Sequence, residues 1–567
     1  MIRKLLCIAM LGLGGTAFAD ESAQFKAVSE SLFAEYFKAS PSYATSMGVH
    51  DYDAKLDAVD KGAHKSVQAL FSKALAQIGG IDPKSLPQTE RDDREILMAF
   101  LEGQLREETV IQSWRHNPDQ YVGLAFGAVN SLITRAFDTP EARLRLVIAR
   151  ENLLPKMLKD AKANLTDMPP VFIDIALEDL AGGLNFVGKN VPEAFAEVKD
   201  AKLLAALKAS TAKAQASLKD FQAFLVKEKP KAHGQFALGR DNFIVLLHND
   251  LIEATPEQIL AAGQAQLERD RAAWDEVSRQ IDPAHPDQAF AEIEADHPNA
   301  GQLLPTAKEQ LNELKRFVEE RHIITLPFPN LPKVEETPEF QRAVVFGEMD
   351  WPGPFETKAT ESYYYITPPD AKAPADEQER FLRLWNYPTL RNLTVHEAMP
   401  GHFVQGLYLR AHPEWSVVRK GLQSYSDVEG WAHYSEQMMI EQGLGAGDPK
   451  AHLAQLGEAL LRDCRLIDSV SMHVLGMTLE QATQTMREKC HVPEAEAYKE
   501  ARRGTSDPGY FSYTVGKLAI LKLRADLQAK EGSGFSLQSY HDRFLAAGPV
   551  PIKIIRREIL GEDGPLL

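Results

Sequence analysis

The sequence predicts a mostly α-helical protein. Helix-start signals recur along the chain, apolar residues repeat at helical spacing over long stretches, and strand-like segments are few. Thr139-Pro140-Glu141 and Thr255-Pro256-Glu257 each combine an N-cap threonine, a proline at the first helical position and an acidic residue in the first turn. Gln258 lies three residues after Thr255, and Gln481 three after Thr478, so both threonines are expected to form capping boxes.

The apolar repeats indicate the buried faces of these helices. Because their spacing places each group on one side of a helix, they predict contacts with the core and no chemistry. The clearest groups are Leu97, Leu101 and Leu105; Leu144, Val147 and Ile148; and Leu453, Leu456, Leu460, Cys464 and Ile467.

Strand signals are concentrated before residue 370. Segments 342–346 and 362–367 are rich in β-branched and aromatic residues, and the turn-rich segment 350–354 separates them. They predict a small β-ribbon just before the histidine-containing run described below. The tyrosines Tyr363, Tyr364 and Tyr365 of the second segment would either bind an extended peptide by backbone pairing or form a buried edge of the sheet.

The N-terminus has the pattern of a signal peptide covering residues 1–19. Arg3 and Lys4 precede an apolar run, from Leu5 to Gly15, that is too short to span a bilayer. A membrane anchor, the alternative interpretation, needs about 20 apolar residues. Ala17-Phe18-Ala19 has small residues where a signal peptidase reads, so cleavage is expected before Asp20 and the protein is expected to be periplasmic or secreted.

The mature chain is expected to be one continuous soluble fold, with no membrane partner. A helical N-terminal region, 20–335, would lead through the proline-rich stretch 326–332 into a C-terminal metal-binding catalytic region, 336–567. The formal net charge of −17 disfavours contact with phosphate backbones, so nucleic-acid binding is not expected. The oligomeric state stays open.

Only two cysteines, Cys464 and Cys490, remain after export. In an oxidising compartment they would either pair in a disulfide or stay free, and the sequence does not decide between the two. Neither has a second thiol at metal-ligand spacing, so the cysteines are not expected to bind metal.

The run from His396 to His402, HEAMPGH, is the strongest chemical signal in the chain. Two imidazoles and a carboxylate suit Zn²⁺, and the familiar peptidase signature spaces its histidines four residues apart on one helical face. Here the spacing is six residues, which on an unbroken helix would turn the two rings about 120° apart. The alternative interpretation is therefore a capped helix with two ordinary histidines.

Pro400 and Gly401 favour a break in the helix, which would remove the difficulty of the six-residue spacing. Proline lacks a backbone donor and disfavours helical geometry at Met399, whereas glycine accepts backbone angles closed to other residues. Two residues bulged out at this point would restore an effective spacing of four. The same bulge would place Glu397 beside a water molecule at the metal.

A third ligand is expected on another helix, and the run EGWAHYSE at 429–436 is the candidate. Glu429, His433 and Glu436 share one helical face. The members that do not bind metal would support the ligands or lie on the surface, and a solvated polar face remains the alternative for all three. Gln405, three residues past His402, could orient a ligand.

These motifs resemble a known family. HEAMPGH followed by Gln405, together with EGWA at 429–432, is similar to the bacterial family catalogued as domain of unknown function 885, which is grouped with the glutamate-zincin metallopeptidases. The resemblance spans nearly the whole mature chain and includes Pro41-x-x-Ala44-Thr45-x-x-Gly48, His50-Asp51-Tyr52-Asp53, Leu56-Asp57, Arg465-Leu466-Ile467-Asp468, Pro508-Gly509 and Ser512-Tyr513-x-x-Gly516. It implies a large helical zincin-like fold with a deep active-site cleft, and it favours Glu429 as the third zinc ligand.

The expected activity is that of a zinc metallopeptidase acting on oligopeptides. His396, His402 and Glu429 would hold Zn²⁺, which polarises the scissile carbonyl and activates water. Glu397 would act as general base on that water. Tyr513 would donate to the oxyanion, or else pack in the cleft wall.

Two arginines are candidates for binding the terminal carboxylate of a peptide, which would make the enzyme a carboxypeptidase. Arg503 is one of them. Arg465 is the other, although it could simply pair with Asp468 one turn away. Two further functions stay open: a zinc hydrolase of a non-peptide amide or ester, and a non-catalytic helical binding protein with a vestigial zinc site.

Overall fold

Helices make up most of the chain, as the sequence predicts. The structure is a computed structural model that describes residues 9–339, 342 and 345–567, and for residues 9–20 and 495 the backbone alone. In this described part, fourteen α-helices precede the sheet: α1 (Ala9–Ala39), α2 (Pro41–Ser46), α3 (Lys61–Gly79), α4 (Gln88–Arg106), α5 (Ser113–His116), α6 (Asp119–Ile133), α7 (Pro140–Asn164), α8 (Pro170–Asn185), α9 (Val191–Ala194), α10 (Ala201–Glu228), α11 (Arg240–Asn249), α12 (Pro256–Ile281), α13 (Ala289–Glu294) and α14 (Leu303–Glu320).

The helices after the sheet carry the histidine motif and the segments that surround it. They are α15 (Ala375–Leu384), α16 (Tyr387–Glu397), α17 (His402–Ala411), α18 (Val417–Gly421), α19 (Tyr425–Glu441), α20 (Pro449–Val474), α21 (Leu479–Cys490), α22 (Glu494–Ser506), α23 (Ser512–Glu531), α24 (Leu537–Ala546) and α25 (Ile552–Leu560). The predicted caps are confirmed: Thr139 accepts from the Ala142 backbone, and Thr255 and Thr478 each form a complete capping box.

A three-stranded sheet lies between these two groups of helices. Its strands are β1 (Lys333–Glu336), β2 (Gly347–Asp350) and β3 (Tyr363–Ile366), in the order β1-β3-β2. β2 and β3 pair antiparallel with Met349 opposite Tyr364, so the predicted ribbon exists. β1, which pairs parallel to β3, was not predicted.

The first predicted strand is displaced. Segment 342–346 includes residues 343 and 344, which lie outside the described part, and its described residues 342, 345 and 346 precede the strand. β2 begins at Gly347, where a Cβ would lie 2.6 Å from the Leu393 side chain of α16. Docking against α16 therefore selects a polar strand that intrinsic β-propensity does not favour.

The prediction that the Tyr363–Tyr365 strand binds a peptide by backbone pairing is wrong, and so is the alternative of a buried edge. β3 is the central strand, and β1 and β2 already occupy both of its edges. Tyr364 is fully buried, with its hydroxyl 3.2 Å from Thr394 Oγ1, so this side chain supports α16 and offers no surface to a substrate.

Side chains from both halves of the sequence share one hydrophobic core. The largest cluster of buried residues includes Phe33 of α1, Leu314 of α14, Trp431 of α19 and Leu527 of α23. A second cluster lies among α6, α7, α8 and α10, and a third lies between α12 and α20. Residues on both sides of the predicted boundary at 335 therefore contribute to the core that surrounds α16 and α19.

Cys464 and Cys490 form a disulfide, which joins α20 to α21. Of the two states that the sequence left open, a disulfide or free cysteines, the structure shows the disulfide. Over the described residues, no helix has the length and apolar character needed to cross a membrane. The predicted signal peptide stays a prediction, because residues 1–8 lie outside the description and residues 9–19 are given as backbone alone.

Candidate metal centre

The helix that carries the histidine motif breaks where the sequence predicts. α16 ends at Glu397 and α17 begins at His402. Between them, the Gly401 amide donates to the carbonyl of Val395 at 3.0 Å, and the Met399–Pro400 peptide bond is cis. A Cβ at position 401 would lie 1.7 Å from the His396 carbonyl oxygen, so only glycine fits in this turn.

The turn brings the two imidazoles to one carboxylate. His396 Nε2 lies 3.6 Å and His402 Nε2 lies 3.5 Å from Glu429 Oε2. The two rings are 4.9 Å apart between centroids and nearly perpendicular, at 88°. Their ligand atoms and the carboxylate oxygen all lie within 4.8 Å of one another. The structure therefore brings together the three residues that the sequence selected as a metal site.

The donor atoms of this cluster and its two histidine–carboxylate separations suit Zn²⁺. Ligand atoms about 2.0–2.2 Å from a tetrahedral zinc ion lie roughly 3.3–3.6 Å apart, which matches those two separations. Glu429 Oε2 is buried and has no hydrogen-bond partner among the described residues. Burial raises the pKa of Glu429, but the close approach of the His396 and His402 imidazoles outweighs burial and holds that pKa well below its usual value.

Side chains behind the two histidines fix their orientation. His396 Nδ1 lies 2.6 Å from Glu436 Oε1, and His402 Nδ1 lies 3.2 Å from Gln405 Oε1. Each contact turns the opposite nitrogen, Nε2, toward Glu429. Gln405 therefore lies where the sequence places it, and Glu436 is a buried supporting residue with no surface role.

Asn392 also supports the cluster, although the sequence did not single it out. Its amide nitrogen donates to Glu436 Oε2 at 3.0 Å. Asn392 precedes His396 by four residues on α16, so helical spacing alone could have identified it as a neighbour on the same face.

His433 lies beside this network without joining the cluster. Its Nδ1 is 3.6 Å from Glu436 Oε2, beyond hydrogen-bond distance, and the side chain is fully buried. Burial and the positive charge of Lys517 lower the pKa of His433 to about 3. The ring is therefore neutral near pH 7.

Glu397 lies where α16 faces the sheet. Burial raises the pKa of Glu397 above its usual value, although the neighbouring His396 and His402 and a hydrogen bond from the Met349 backbone oppose that rise. The Glu397 residue is only 7 % exposed, so its side chain is enclosed. β2 is thus in direct contact with the residue expected to act as general base.

Tyr513, at the start of α23, lies next to the histidines. Its ring stacks near that of His396, with centroids 6.3 Å apart and planes 21° apart. Burial and the charge of Glu429 raise the pKa of Tyr513, so its hydroxyl is a neutral donor near pH 7. The structure places Tyr513 at the cluster, as both of its sequence interpretations require.

Two glycines hold the helices of Glu429 and Tyr513 together. A Cβ on Gly430 of α19 would lie 2.5 Å from Gly516 Cα, and a Cβ on Gly516 of α23 would lie 2.0 Å from the Ser426 carbonyl oxygen. The two helices therefore touch through their backbones. Both glycines belong to motifs visible in the sequence, but their contact was not predicted.

Trp431 links the second motif to the first. The buried indole donates from Nε1 to the carbonyl of Pro400 at 2.9 Å, so α19 supports the turn between the two histidines. The two most specific sequence motifs are thus one structural unit, which explains why they occur together in this chain.

The N-terminal motif supports a loop beside His402. His50 Nε2 lies 2.8 Å from Glu356 Oε2, and a Cβ on Gly48 would lie 2.3 Å from the Glu356 backbone nitrogen. The loop that contains Glu356 also contains Trp351, whose ring centroid lies 5.8 Å from that of His402. Gly48 and His50 therefore shape one wall of a site in the C-terminal half of the sequence.

The two predicted arginines lie close to Tyr513. Arg465 Nε donates to Glu500 Oε2 at 2.8 Å, so the prediction that Arg465 pairs with Asp468 is wrong. The reason is that Arg465 extends toward α22, whereas the oxygens of Asp468 are buried without hydrogen-bond partners in the described chain. Arg503 Nη2 lies 3.0 Å from Asp507 Oδ2 and 3.5 Å from the Tyr513 hydroxyl.

Arg462 also contacts this ring, and the sequence did not single it out. Its guanidinium carbon lies 5.6 Å from the Tyr513 ring centroid, and its Nη2 lies 3.6 Å from Glu436 Oε1. Arg465 follows Arg462 by one helical turn on α20, so the spacing already placed them on one face.

The fold and the site define a mostly helical protein with a buried His-His-Glu cluster. The chain belongs to the family described as bacterial protein of unknown function (DUF885), whose profile matches residues 41–559. The predicted membership of this family is thereby confirmed, whereas its grouping with the glutamate-zincin metallopeptidases stays a prediction. Comparison with curated proteins gives no match.

Two solved structures are similar over nearly their whole length. A chain from Shewanella oneidensis, described as a "putative lipoprotein of unknown function", is 26 % identical with a TM-score of 0.78, covering 94 % of this chain and 99 % of its own. A chain from Colwellia psychrerythraea, described as a "putative lipoprotein", is 19 % identical with a TM-score of 0.79, covering 95 % and 99 %. The second likeness concerns the fold alone.

Proposed function

We propose that this protein is a zinc-dependent metallopeptidase that hydrolyses oligopeptides. The observation that carries the proposal is the convergence of His396 and His402 on Glu429, with the carboxyl of Glu397 at the same turn. A structural zinc site needs no acidic residue between its histidines, whereas hydrolysis needs a general base at that place. The proposal therefore rests on four residues together.

The residues of the chain divide the work of hydrolysis. Zn²⁺ held by the cluster would polarise the scissile carbonyl and make water a better nucleophile. Glu397 takes a proton from the attacking water and passes it to the leaving amine. Tyr513 donates its neutral hydroxyl to the negative charge that develops on the carbonyl oxygen. Glu436 and Gln405 hold the imidazoles in place.

The sheet supports a peptide substrate over other amides. β2 is an outer strand in the order β1-β3-β2, and its Met349 backbone hydrogen-bonds Glu397. An extended peptide that added to this side of the sheet would run past the general base. We therefore propose strand addition at β2, in place of the Tyr363–Tyr365 strand.

We also propose an extracytoplasmic location, in the periplasm or outside the cell. The predicted signal peptide at residues 1–19 supports it. The description of the similar structure from Shewanella oneidensis as a "putative lipoprotein of unknown function" supports the same location.

The test compares wild type with Glu397→Gln. Glu414→Gln serves as the matched control, because Glu414 lies in an exposed loop and pairs only with His412 among the described residues. Metal analysis is expected to find about one zinc ion per chain in all three proteins. Mass spectrometry of a digested peptide library is expected to find cleavage by wild type and control, and a loss of about 10²- to 10⁴-fold in the Glu397→Gln variant.

Other results of these two measurements would change the proposed function. Peptide cleavage that survives Glu397→Gln would remove the general base from the mechanism. Zinc binding with no cleavage of any peptide would favour a hydrolase of a different amide or ester, or a vestigial zinc site. Absence of zinc would contradict the proposal altogether.

A further inference from the structure

Three guanidinium groups surround the ring of Tyr513. The guanidinium carbon of Arg465 lies 5.1 Å and that of Arg462 lies 5.6 Å from the ring centroid. Arg503 approaches the hydroxyl, with its Nη2 at 3.5 Å. Because the same ring stacks on His396, this arginine cluster adjoins the candidate metal centre.

The three arginines differ in how many of their N–H donors already have a partner. Arg462 is held between Glu458, a close partner, and Glu436. In the described chain, the one hydrogen bond of Arg465 leaves from Nε to Glu500, so its two terminal nitrogens remain available. Arg462 is therefore held by its two carboxylate partners, whereas Arg465 keeps N–H donors that a ligand can use.

Arg503 also retains donor capacity. It bonds the Asp507 carboxylate and the hydroxyls of Tyr425 and Tyr513 through Nε and Nη2, and its side chain is 39 % exposed. A guanidinium has five N–H donors, so Nη1 of Arg503 can meet an additional acceptor.

The position of these donors relative to the histidines limits what they can bind. The ring centroids of His396 and Tyr513 lie 6.3 Å apart, and the guanidinium carbon of Arg465 lies 5.1 Å from the Tyr513 centroid. An extended peptide advances about 3.3–3.6 Å per residue, so at most about three residues fit between the scissile bond and the arginines. The C-terminal carboxylate of a fragment of this length would therefore reach the arginines.

We propose that Arg465 and Arg503 bind the C-terminal carboxylate of the substrate, so that the enzyme removes a short C-terminal fragment of about one to three residues. This inference rests on the proposed peptidase function. A planar carboxylate matches the paired donors of guanidinium groups. The peptide C–N bond breaks, water supplies the hydroxyl of the new carboxyl group, and the proton moves through Glu397 to the amine of the released fragment.

The first experiment compares two versions of one peptide library. Decapeptides with acetylated N-termini are prepared with either free C-terminal carboxylates or C-terminal amides, and each library is incubated with the zinc-loaded full chain. Mass spectrometry is expected to show short fragments released from the C-terminus of the free acids. Amidation is expected to lower kcat/KM by about 10- to 100-fold, because the charge-assisted hydrogen bonds are lost.

The second experiment uses variants of the arginines. Arg503→Gln removes the more exposed charge. Arg465→Lys keeps a cation beside the buried Glu500 but loses the planar fork of donors. Both are expected to raise KM for free-acid peptides about 10-fold or more and so to reduce the preference for free acids over amides. Arg502→Gln is the matched control, because Arg502 pairs with Glu178 on α8.

The outcomes separate the two proposals. Equal cleavage of acids and amides, or cuts from the N-terminus or in the middle of the peptides, would overturn the carboxylate inference and leave a peptidase. Variants that slow acids and amides equally would also overturn it, since the arginines would then have a structural role. Failure of the zinc-loaded protein to cut either library would contradict the peptidase function itself.

Discussion

The Nδ1 atom of His396 lies 2.6 Å from Oε1 of Glu436, and this contact decides which nitrogen of the imidazole faces the metal site. Burial raises the pKa of Glu436, but Arg462 and His396 more than offset that rise, so the carboxylate stays ionised. A buried negative charge behind the ring fixes its tautomer and strengthens Nε2 as a donor to a cation.

Replacement of Glu436 by glutamine should weaken zinc binding. The amide keeps the size of the side chain but loses the charge that orients His396, and loss of such a partner lowers metal affinity by about 10- to 100-fold. Competition with a coloured chelator measures the affinity. Glu441→Gln is the control, since Glu441 pairs with Arg524 at the end of the same helix. Equal affinities in the two variants would show that Glu436 does not support the metal site.

Replacement of Gly401 by alanine should disrupt the turn between the two histidines. The new methyl group would lie 1.7 Å from the His396 carbonyl oxygen, so the backbone would have to move and the rings would separate. We expect zinc binding to fall below detection by metal analysis while circular dichroism stays helical. Gly127→Ala, where a Cβ meets no neighbour within 4 Å, should retain its zinc. A zinc-replete Gly401→Ala variant would refute the assigned role of this glycine.

The sequence was informative where one residue type has one physical consequence. Pro400 and Gly401 predicted the break in the helix, and Thr255 predicted a capping box, because proline, glycine and N-cap threonine act locally. Spacing on a single helix also related Glu429 to Glu436. These features need no knowledge of distant contacts.

Features that depend on packing between distant segments could not be predicted in this way. The contact of Gly430 with Gly516 and the support of the Trp351 loop by His50 join positions remote in sequence. β2 is set by docking on α16, against its own polar composition. The partner of Arg465 likewise depends on where α22 lies, which local periodicity does not reveal.

Removal of the disulfide should destabilise the fold. Cys464 and Cys490 are separated by 26 residues, and a cross-link of this length contributes about 3 to 4 kcal/mol through restriction of the unfolded chain. The double variant Cys464→Ala with Cys490→Ala should lose about that much free energy of unfolding, measured by urea titration. Reducing agent should shift the wild type toward the variant and leave the variant unchanged. A wild type that is insensitive to reduction, and only as stable as the variant, would contradict this prediction.

The buried carboxyl of Glu151 should make stability depend on pH. Glu151 is fully enclosed between α7 and α10, where the hydroxyls of Ser210 and Thr211 donate to it. Burial raises its pKa from 4.5 to about 7, against the smaller effect of those hydrogen bonds. Between these two values the folded state holds a proton that the unfolded state has released, so stability falls as pH rises through this window.

Glu151→Gln should remove that part of the pH dependence. At about 1.4 kcal/mol for each unit of pKa, the glutamine variant should gain up to about 3 kcal/mol over wild type at about pH 8, relative to their difference at about pH 4.5. Urea unfolding at the two pH values measures the change.

Glu141→Gln, on the exposed first turn of the same helix, is the control and should follow the wild type. Asp119, whose pKa burial and Asp179 raise to about 7, remains in both proteins, so the difference between the curves isolates Glu151. Parallel curves for the Glu151→Gln variant and wild type would show that the carboxyl is not held protonated by the fold.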